Sequence, residues 1–336
     1  MKIAVDGFGG DNAPLEILKG AIDAKKEYNV DIAVYGSIHQ MKSVALDNNL
    51  SLDALELVEA PSIIDMHDEA KVVLKQKADS SMSMALRAVA AQDADAVVSA
   101  GSTAAFLMGA TMIIKRIKGI KRPALGAVMP SQKGPYILVD CGANAEVRPE
   151  MLNQFGLMGS IYMKNVMGIA DPRVGLANNG AEDTKGTPLQ LEAYKLLQSN
   201  ENINFIGNIE GRDIPLGECQ VVVADGFTGN LILKTVEGTA SFAFSMLKDV
   251  FMKNIISKLA AILLTKGLKN LKKRMDYSEY GGAPLIGLTK PAIKAHGSSN
   301  ANAFKNAIHQ AILWASSGVT EEIEKITSNS KEEDDE

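Results

Sequence analysis

The sequence predicts an α/β protein built on a largely parallel sheet, and three observations carry the prediction. Nine short apolar runs read as strands: KIAVD, DIAVYG, DAVVSA, ALGAVM, YILVD, RVGLANN, INFIG, VVVAD and AIKAHG. Segments of helical period separate most of them, which is the rhythm of strand–helix–strand units. Several runs also exit into clusters of Gly, Ser, Thr and Asn, the composition of loops that leave strand ends and enter helices. The chain has 336 residues, ample for a large core.

Each element has its own signal. KIAVD meets GFGGDNAP, a turn whose Pro14 suits the first turn of a following helix. Residues 96–114 carry no charge and approach the roughly 20 residues of a membrane span. Gly101-Ser102-Thr103 divides them into a buried strand, AVVSA, and a buried helix, AAFLMGATMII, so a core reading is favoured over a span. YGGAPLIGL, before the last strand, reads as a loop. No internal repeat and no Pro/Ser-rich linker divides the chain, so residues 1–325 are expected to form a single domain. Residues 326–336, ending in SNSKEEDDE, read as a disordered acidic tail.

Composition excludes several classes. The formal net charge is −5, which gives no support for nucleic-acid binding. Cys141 and Cys219 are too few for a disulfide framework and fit a reducing cytoplasm. No apolar h-region opens the chain, so no secretory signal is expected. No HExxH or CxxC spacing is present, so no metal is expected; no GxSxG elbow is present either.

Six strand exits are candidate binding loops. They are Gly7 to Asn12 (with Gly9, Gly10 and Asn12), Ser99 to Thr103 (with Ser102 and Thr103), and Asp140 to Asn144. The others are Asn178 to Gly186 (with Asn179, Gly180, Thr184 and Lys185), Asp225 to Asn230 (with Gly229), and His296 to Asn300. Small residues let backbone N–H groups approach a ligand, and helix N-termini favour negative charge. Tight turns need Gly anyway, so a single loop means little, whereas several such loops on one sheet edge favour a phosphate-bearing ligand. The opening loop is a poor dinucleotide fingerprint, because G-x-G-x-x-G needs Gly where Asn12 stands. A smaller anion fits better. Lys185, flanked by Gly, suits a phosphate as a point charge or is a solvated loop lysine. Asn230 either donates to an oxyanion or caps the helix LILKTVEG. His296 is a proton carrier or a hydrogen-bonded structural residue.

Taken together, GGDNAP, SAGST, DCGAN with RPEML, NNGAEDTKG, DGFTGN with LKTVEG, and GGAPLIGL with AHGSSNANAFKNAI resemble the bacterial phosphate acyltransferases in order and spacing, from Met1 to about Val319. Gly7-Phe8 departs from the usual Ala-Met. MHDEAKVVLK lacks an expected proline and arginine. TKPAIK is more polar than the usual apolar run before AHGSSN. The resemblance implies a three-layer α/β/α fold, similar to isopropylmalate-type dehydrogenases and phosphate acetyltransferases, and a homodimer. It implies transfer of a long-chain acyl group from acyl-carrier protein to inorganic phosphate without a cofactor. The acyl phosphate would feed a membrane glycerol-3-phosphate acyltransferase in phospholipid synthesis. Lys185 and Asn230 are then the expected catalytic pair, with Gly9, Gly10, Asn12, Ser102, Thr103, Asn144, Asn179, Gly180, Thr184, Asp225, Gly229 and His296 around the substrate. The same fold with an NAD-dependent decarboxylating dehydrogenase activity, or a catalytically dead scaffold, are the alternatives.

Residues 246–275, within a helical segment spanning 246–280, stand apart. Phe251, Ile255, Leu259 and Ile262 recur at helical spacing beside Ile256 and Leu263. Leu264, Leu268, Leu271 and Met275 form a second stripe. Gly267 lies near the change of phase, so a helical hairpin breaking there is expected. Lys248, Lys253, Lys258, Lys266, Lys269, Lys272, Lys273 and Arg274 surround the stripes against only Asp249. A tip that touches the inner membrane surface through Leu259, Ile262, Leu263, Leu264 and Leu268 is the favoured reading, and it makes the protein cytoplasmic and peripherally associated. A dimer-interface helix pair and a carrier-docking face are the alternatives.

Overall fold

The computed structural model describes residues 1–275 and 277–332, apart from the side chains at 269, 270, 272–278 and 329–332. In chain order the elements begin β1 (Lys2–Asp6), α1 (Leu15–Tyr28), β2 (Asp31–Gly36), α2 (Ile38–Asp47), β3 (Glu56–Glu59), α3 (Ser81–Ala90), β4 (Ala96–Ser99) and α4 (Thr103–Gly109). Then come β5 (Ala124–Ser131), β6 (Gly134–Val139), α5 (Pro149–Asn165), β7 (Arg173–Asn178), α6 (Pro188–Gln198), β8 (Asn204–Glu210) and β9 (Val221–Val223). The chain closes with α7 (Gly226–Met252), α8 (Ile255–Met275), β10 (Ala283–Ile286), β11 (Ala292–Lys294), α9 (Ala301–Ala315) and α10 (Val319–Glu332).

All eleven strands join one sheet in the order β3-β2-β1-β4-β11-β10-β5-β6-β9-β7-β8. Helices cover both faces, giving three layers. On one face Leu18, Phe155, Leu197, Phe304 and Trp314 pack on Ile3, Val5 and Val139. On the other, Met82, Leu86 and Phe106 pack on Ala4, Val97 and Leu138. Residues i and i+1 of a strand thus face different cores, as a pleated strand buried on both sides requires.

All nine apolar runs are strands. Two strands lie outside them. β3 reads ELVE, and β10 reads APLI inside the segment expected to be a loop. The sheet is parallel within each half, but β10 is antiparallel to both β11 and β5, and β5 is antiparallel to β6. The strands of the two halves therefore run in opposite directions. Their stagger follows from the register: Lys294 faces Ala283, Leu285 faces Leu125, and Gly126 faces Val139. The carboxyl ends of β11 and β6 approach from opposite sides and stop at nearly the same height. The strand exits converge on the middle of the sheet, not along one edge.

Residues 246–275 form two helices, but the break falls at Lys253-Asn254, with Asn254 Oδ1 accepting from Ser257 N. Gly267, the expected break point, lies inside α8. The change of stripe is a rotation along one continuous helix. The side chains of Lys269, Lys272, Lys273, Arg274 and Met275 lie outside the described residues. The last helix continues to Glu332, through the start of the segment expected to be a disordered tail; residues 333–336 lie outside the described residues.

Candidate active site

A cavity of about 480 Å3 opens where the two sets of strand ends meet. Asp11, Thr103 and the 294–297 segment line it from the β1, β4 and β11 side. Cys141 and Gly142 line it from the exit of β6. Leu125, Ala127 and Met129, alternate residues of β5, make an apolar wall together with Met66 and Leu233. Asn230, Leu233, Lys234 and Glu237 come from α7 at i, i+3, i+4 and i+7, one face of the helix. The result is amphipathic: two lysines, two carboxylates (Asp11 and Glu237), an amide and an imidazole gather against an aliphatic strand face.

The loops are built by packing as much as for binding. A Cβ on Gly9 would lie 2.5 Å from Gly101 N, and one on Gly10, whose φ is +99°, would lie 2.8 Å from Gly297 O. These glycines let the exits of β1, β4 and β11 touch. Asn12 Nδ2 donates to the carbonyls of Ser298 and Ser299, fastening the opening loop to the His296 loop. Ser102 caps α4, accepting from Ala105 N. None of these four residues lines the cavity.

At the β6 exit the buried Asp140 carboxylate organises the turn. Its Oδ1 accepts from Leu125 N at 3.0 Å, Gly142 N at 3.2 Å and Ala143 N at 3.0 Å. Its Oδ2 accepts from Asn144 N at 2.6 Å and Asn144 Nδ2 at 2.8 Å. Asn144 is thus a structural partner, also donating to the Pro123 carbonyl. The start of α7 rests on this turn. A Cβ on Gly229 would come within 1.9 Å of Asp140 O. Asp225 caps α7 by accepting from Thr228 N and Thr228 Oγ1. Capping, one of the two roles open to Asn230, therefore belongs to Asp225. Asn230 is left on the cavity wall beside Gly142.

Of the residues singled out from sequence, Thr103, Asn230 and His296 line the cavity. Lys185 does not. It is exposed, in the loop leaving β7, and Asn178 Nδ2 donates to its carbonyl. Asn179 and Thr184 are exposed in the same loop, while Gly180 is buried beneath the Lys185 and Glu182 side chains. This loop shares the right-hand end of the sheet with the β9 exit, where α7 begins.

Sequence reasoning missed Lys234, Glu237 and Lys294. Lys234 Nζ pairs with Glu237 Oε2 at 2.7 Å. The heptad spacing from Asn230 was the available signal. Lys294 is a single cation in the buried strand AIK, and burial pushes its ammonium down to about 8 against the pull of Asp6 and Asp11. His296 is also lowered, by burial and then by Lys234, so its imidazole is neutral near pH 7. Its Nδ1 accepts from Ser298 N at 3.2 Å, which leaves the ring proton on Nε2. Burial raises the Cys141 thiol well above its ordinary range, so it stays protonated.

Fold and cavity together define an α/β/α protein of the class seen in phosphotransacetylases. The Streptococcus pyogenes phosphotransacetylase superposes with a TM-score of 0.66 at 18% identity, covering 94% of both chains. The Staphylococcus aureus EutD phosphotransacetylase gives 0.64 at 18% identity, again over 94% of both. The 4-hydroxythreonine-4-phosphate dehydrogenase of Klebsiella pneumoniae shares the architecture at a TM-score of 0.55 and 11% identity, covering 94% of this chain and 98% of its own. Such low identity shows the fold alone. The chain itself belongs to the fatty acid synthesis protein family, whose model matches residues 1–322. The phosphate acyltransferase of Clostridium novyi (strain NT) is 45% identical over 324 residues, 96% of this chain and 97% of the relative. That of Alkaliphilus oremlandii (strain OhILAs) is 45% identical over 329 residues, 98% of each.

Proposed function

We propose that the protein moves a long-chain fatty acyl group from acyl-carrier protein to inorganic phosphate, giving acyl phosphate and the free carrier thiol. One observation carries the reading: a cavity whose polar groups face an aliphatic strand wall, at the meeting point of opposed strand ends. Its volume falls in the roughly 300–1,000 Å3 range of ligand sites. A thioester with its greasy chain and an oxyanion need these two kinds of wall. The names of the relatives support the same chemistry.

Phosphate is already an anionic nucleophile at neutral pH, so the protein's task is to align it with the thioester carbonyl and hold the developing charge. Asn230 donates to the carbonyl oxygen or the phosphate. Lys185 supplies charge from the β7 loop, and its flanking Gly186, at φ +103°, sets the turn that carries it. The test is direct: purified protein with long-chain acyl-ACP and phosphate forms acyl phosphate with no added metal or nicotinamide. Loss of turnover in EDTA, or a strong preference for acyl-CoA, would overturn the assignment.

The α7–α8 excursion is proposed to dip into the inner face of the cell membrane. Ile255, Ile256, Leu259, Ile262, Leu263 and Leu264 are exposed, Leu263 at 86%. Leu268 is half-buried. Monomeric proteins rarely display so many apolar side chains together without a use. No described helix is long and apolar enough to cross a membrane. The lysines of the segment are drawn to anionic headgroups. A homodimer and delivery of acyl phosphate to the membrane glycerol-3-phosphate acyltransferase complete the proposal.

A further inference from the structure

Lys294 is the one cavity-lining cation, among the described residues, that the packing buries: its exposure is 7%. It ends β11, in register with Ser99 of β4. The Ser99 hydroxyl donates at 2.6 Å to Oδ2 of Asp6, which ends β1. Asp6 and Ser99 are buried as completely as the core around them. Three adjacent strands thus finish in a polar row, carboxylate, hydroxyl and amine, of which Lys294 alone lines the cavity. Among the described residues the Lys294 ammonium donates to the Ala295 carbonyl and to no carboxylate. An ammonium has three N–H bonds, so donors remain for a ligand. Lys234, by contrast, is half exposed and tied to Glu237.

We propose that Lys294 is a catalytic residue, the general acid that protonates the departing carrier thiolate. The assignment rests on the acyl-transfer reading above. An oxygen of hydrogen phosphate attacks the thioester carbonyl carbon, and the C–S bond breaks as the tetrahedral intermediate collapses. The sulfur takes a proton from the Lys294 ammonium. The acyl phosphate leaves the reaction centre with its own acidic O–H, and that proton returns to the Lys294 amine, restoring the ammonium with no further reactant. An acid held near 8 by burial is well matched to a free thiol at roughly 8.5, so the transfer is close to balanced.

Burial raises the Asp6 carboxyl above its ordinary range, against hydrogen bonds from Ser81, Ser99 and the Phe8 N–H and the nearby charge of Lys294. Asp6 from β1 and Asp11 from the opening loop favour the ammonium, and burial opposes it. His296 titrates below the ordinary imidazole range, and Cys141 far above the thiol range. Lys234 and Glu237 face the site from α7 as a pair.

The experiment follows kcat against pH with saturating acyl-ACP and phosphate, for wild type, Lys294→Arg and Lys294→Ala. Wild-type turnover tests the acyl-transfer reading on its own; the rest tests Lys294. Wild-type kcat is expected to fall as pH rises through about 8, because the acid form is lost. Both variants are expected to lose about 100-fold or more and to lack that limb. Methylamine is expected to restore part of the Lys294→Ala rate. A wild-type kcat flat to about pH 10 would overturn the proposal even if the alanine variant failed to fold. So would a Lys294→Arg rate within about tenfold of wild type, since a fixed charge would then suffice, or the absence of rescue in folded Lys294→Ala.

Discussion

Asp140→Asn tests whether one carboxylate holds the turn on which α7 and the cavity wall rest. The two oxygens of Asp140 accept five N–H bonds, three on Oδ1 and two on Oδ2. An asparagine keeps one oxygen. With the amide oxygen on the three-bond side, its NH2 meets Asn144 N and Asn144 Nδ2, donor against donor. Flipped, it meets three donors. At least two bonds to a charged acceptor are lost, at about 1.5–3 kcal/mol each. The Asn144 side chain keeps its bond to Pro123 O at 2.9 Å and swings partly clear. The net loss is therefore set near the low end, about 3–4 kcal/mol. Equilibrium urea unfolding reads it through the single tryptophan, Trp314, which is buried. Asp225→Asn is the control. Asparagine is as good a helix cap as aspartate, and the Thr228 hydroxyl rotates to accept, so the expected loss is below about 1 kcal/mol. A loss below about 1 kcal/mol in Asp140→Asn, or equal losses in the two variants, would refute the reasoning.

Other perturbations probe the neighbouring features. Gly229→Ala places a methyl within 1.9 Å of a backbone carbonyl, so α7 must lift off the turn. A stability loss of about 1–3 kcal/mol by urea unfolding is expected, with a drop in kcat as Asn230 moves. Asn230→Ala is expected to unfold like wild type and to lose about 100- to 1,000-fold in turnover; a near-normal rate would remove it from the site. Lys185→Ala separates the two readings of that exposed lysine: a rise in KM for phosphate with unchanged stability supports a phosphate contact, and unchanged kinetics make it a solvated loop residue. Leu259→Glu and Leu263→Glu are expected to abolish flotation with anionic liposomes while turnover of soluble acyl-ACP persists. Flotation equal to wild type would dismiss the membrane tip.

The strands were legible wherever a run of β-branched or aliphatic residues was bounded by turn residues. β3 escaped because two glutamates flank its pair of apolar residues, and it sits at the edge of the sheet where one neighbour suffices. β10 escaped because Pro284 and the surrounding glycines mask a short strand that is filled in by both neighbours. Strand direction leaves no local trace, so the reversal at the sheet centre, and with it the convergence of the exits, was not readable. The site divides in the same way. Residues at strand exits and the first turns of the helices that follow, such as Thr103, Asn230 and His296, announce themselves by composition. Lys234 and Glu237 contribute from the body of a helix and Lys294 from the end of a strand, where a charge looks like noise until the fold gives it a neighbour. Several glycines that looked like ligand cradles, Gly9, Gly10 and Gly229 among them, are spacers between loops.

The order of strands also says something about how the protein comes into being on the ribosome. β10 and β11 lie in the middle of the sheet, yet they are made only after α7 and α8. Until residue 294 has emerged, β4 and β5 are unpaired edges of two separate sheets, each exposing a row of backbone donors and acceptors. The nascent chain must keep these edges apart from other chains while it waits for its own keystone, a long-range closure of the kind that slows folding. A chain stopped before Ala283 would hold most of the helices and most of the strands, but it would have two open half-sheets and no place between them for chemistry.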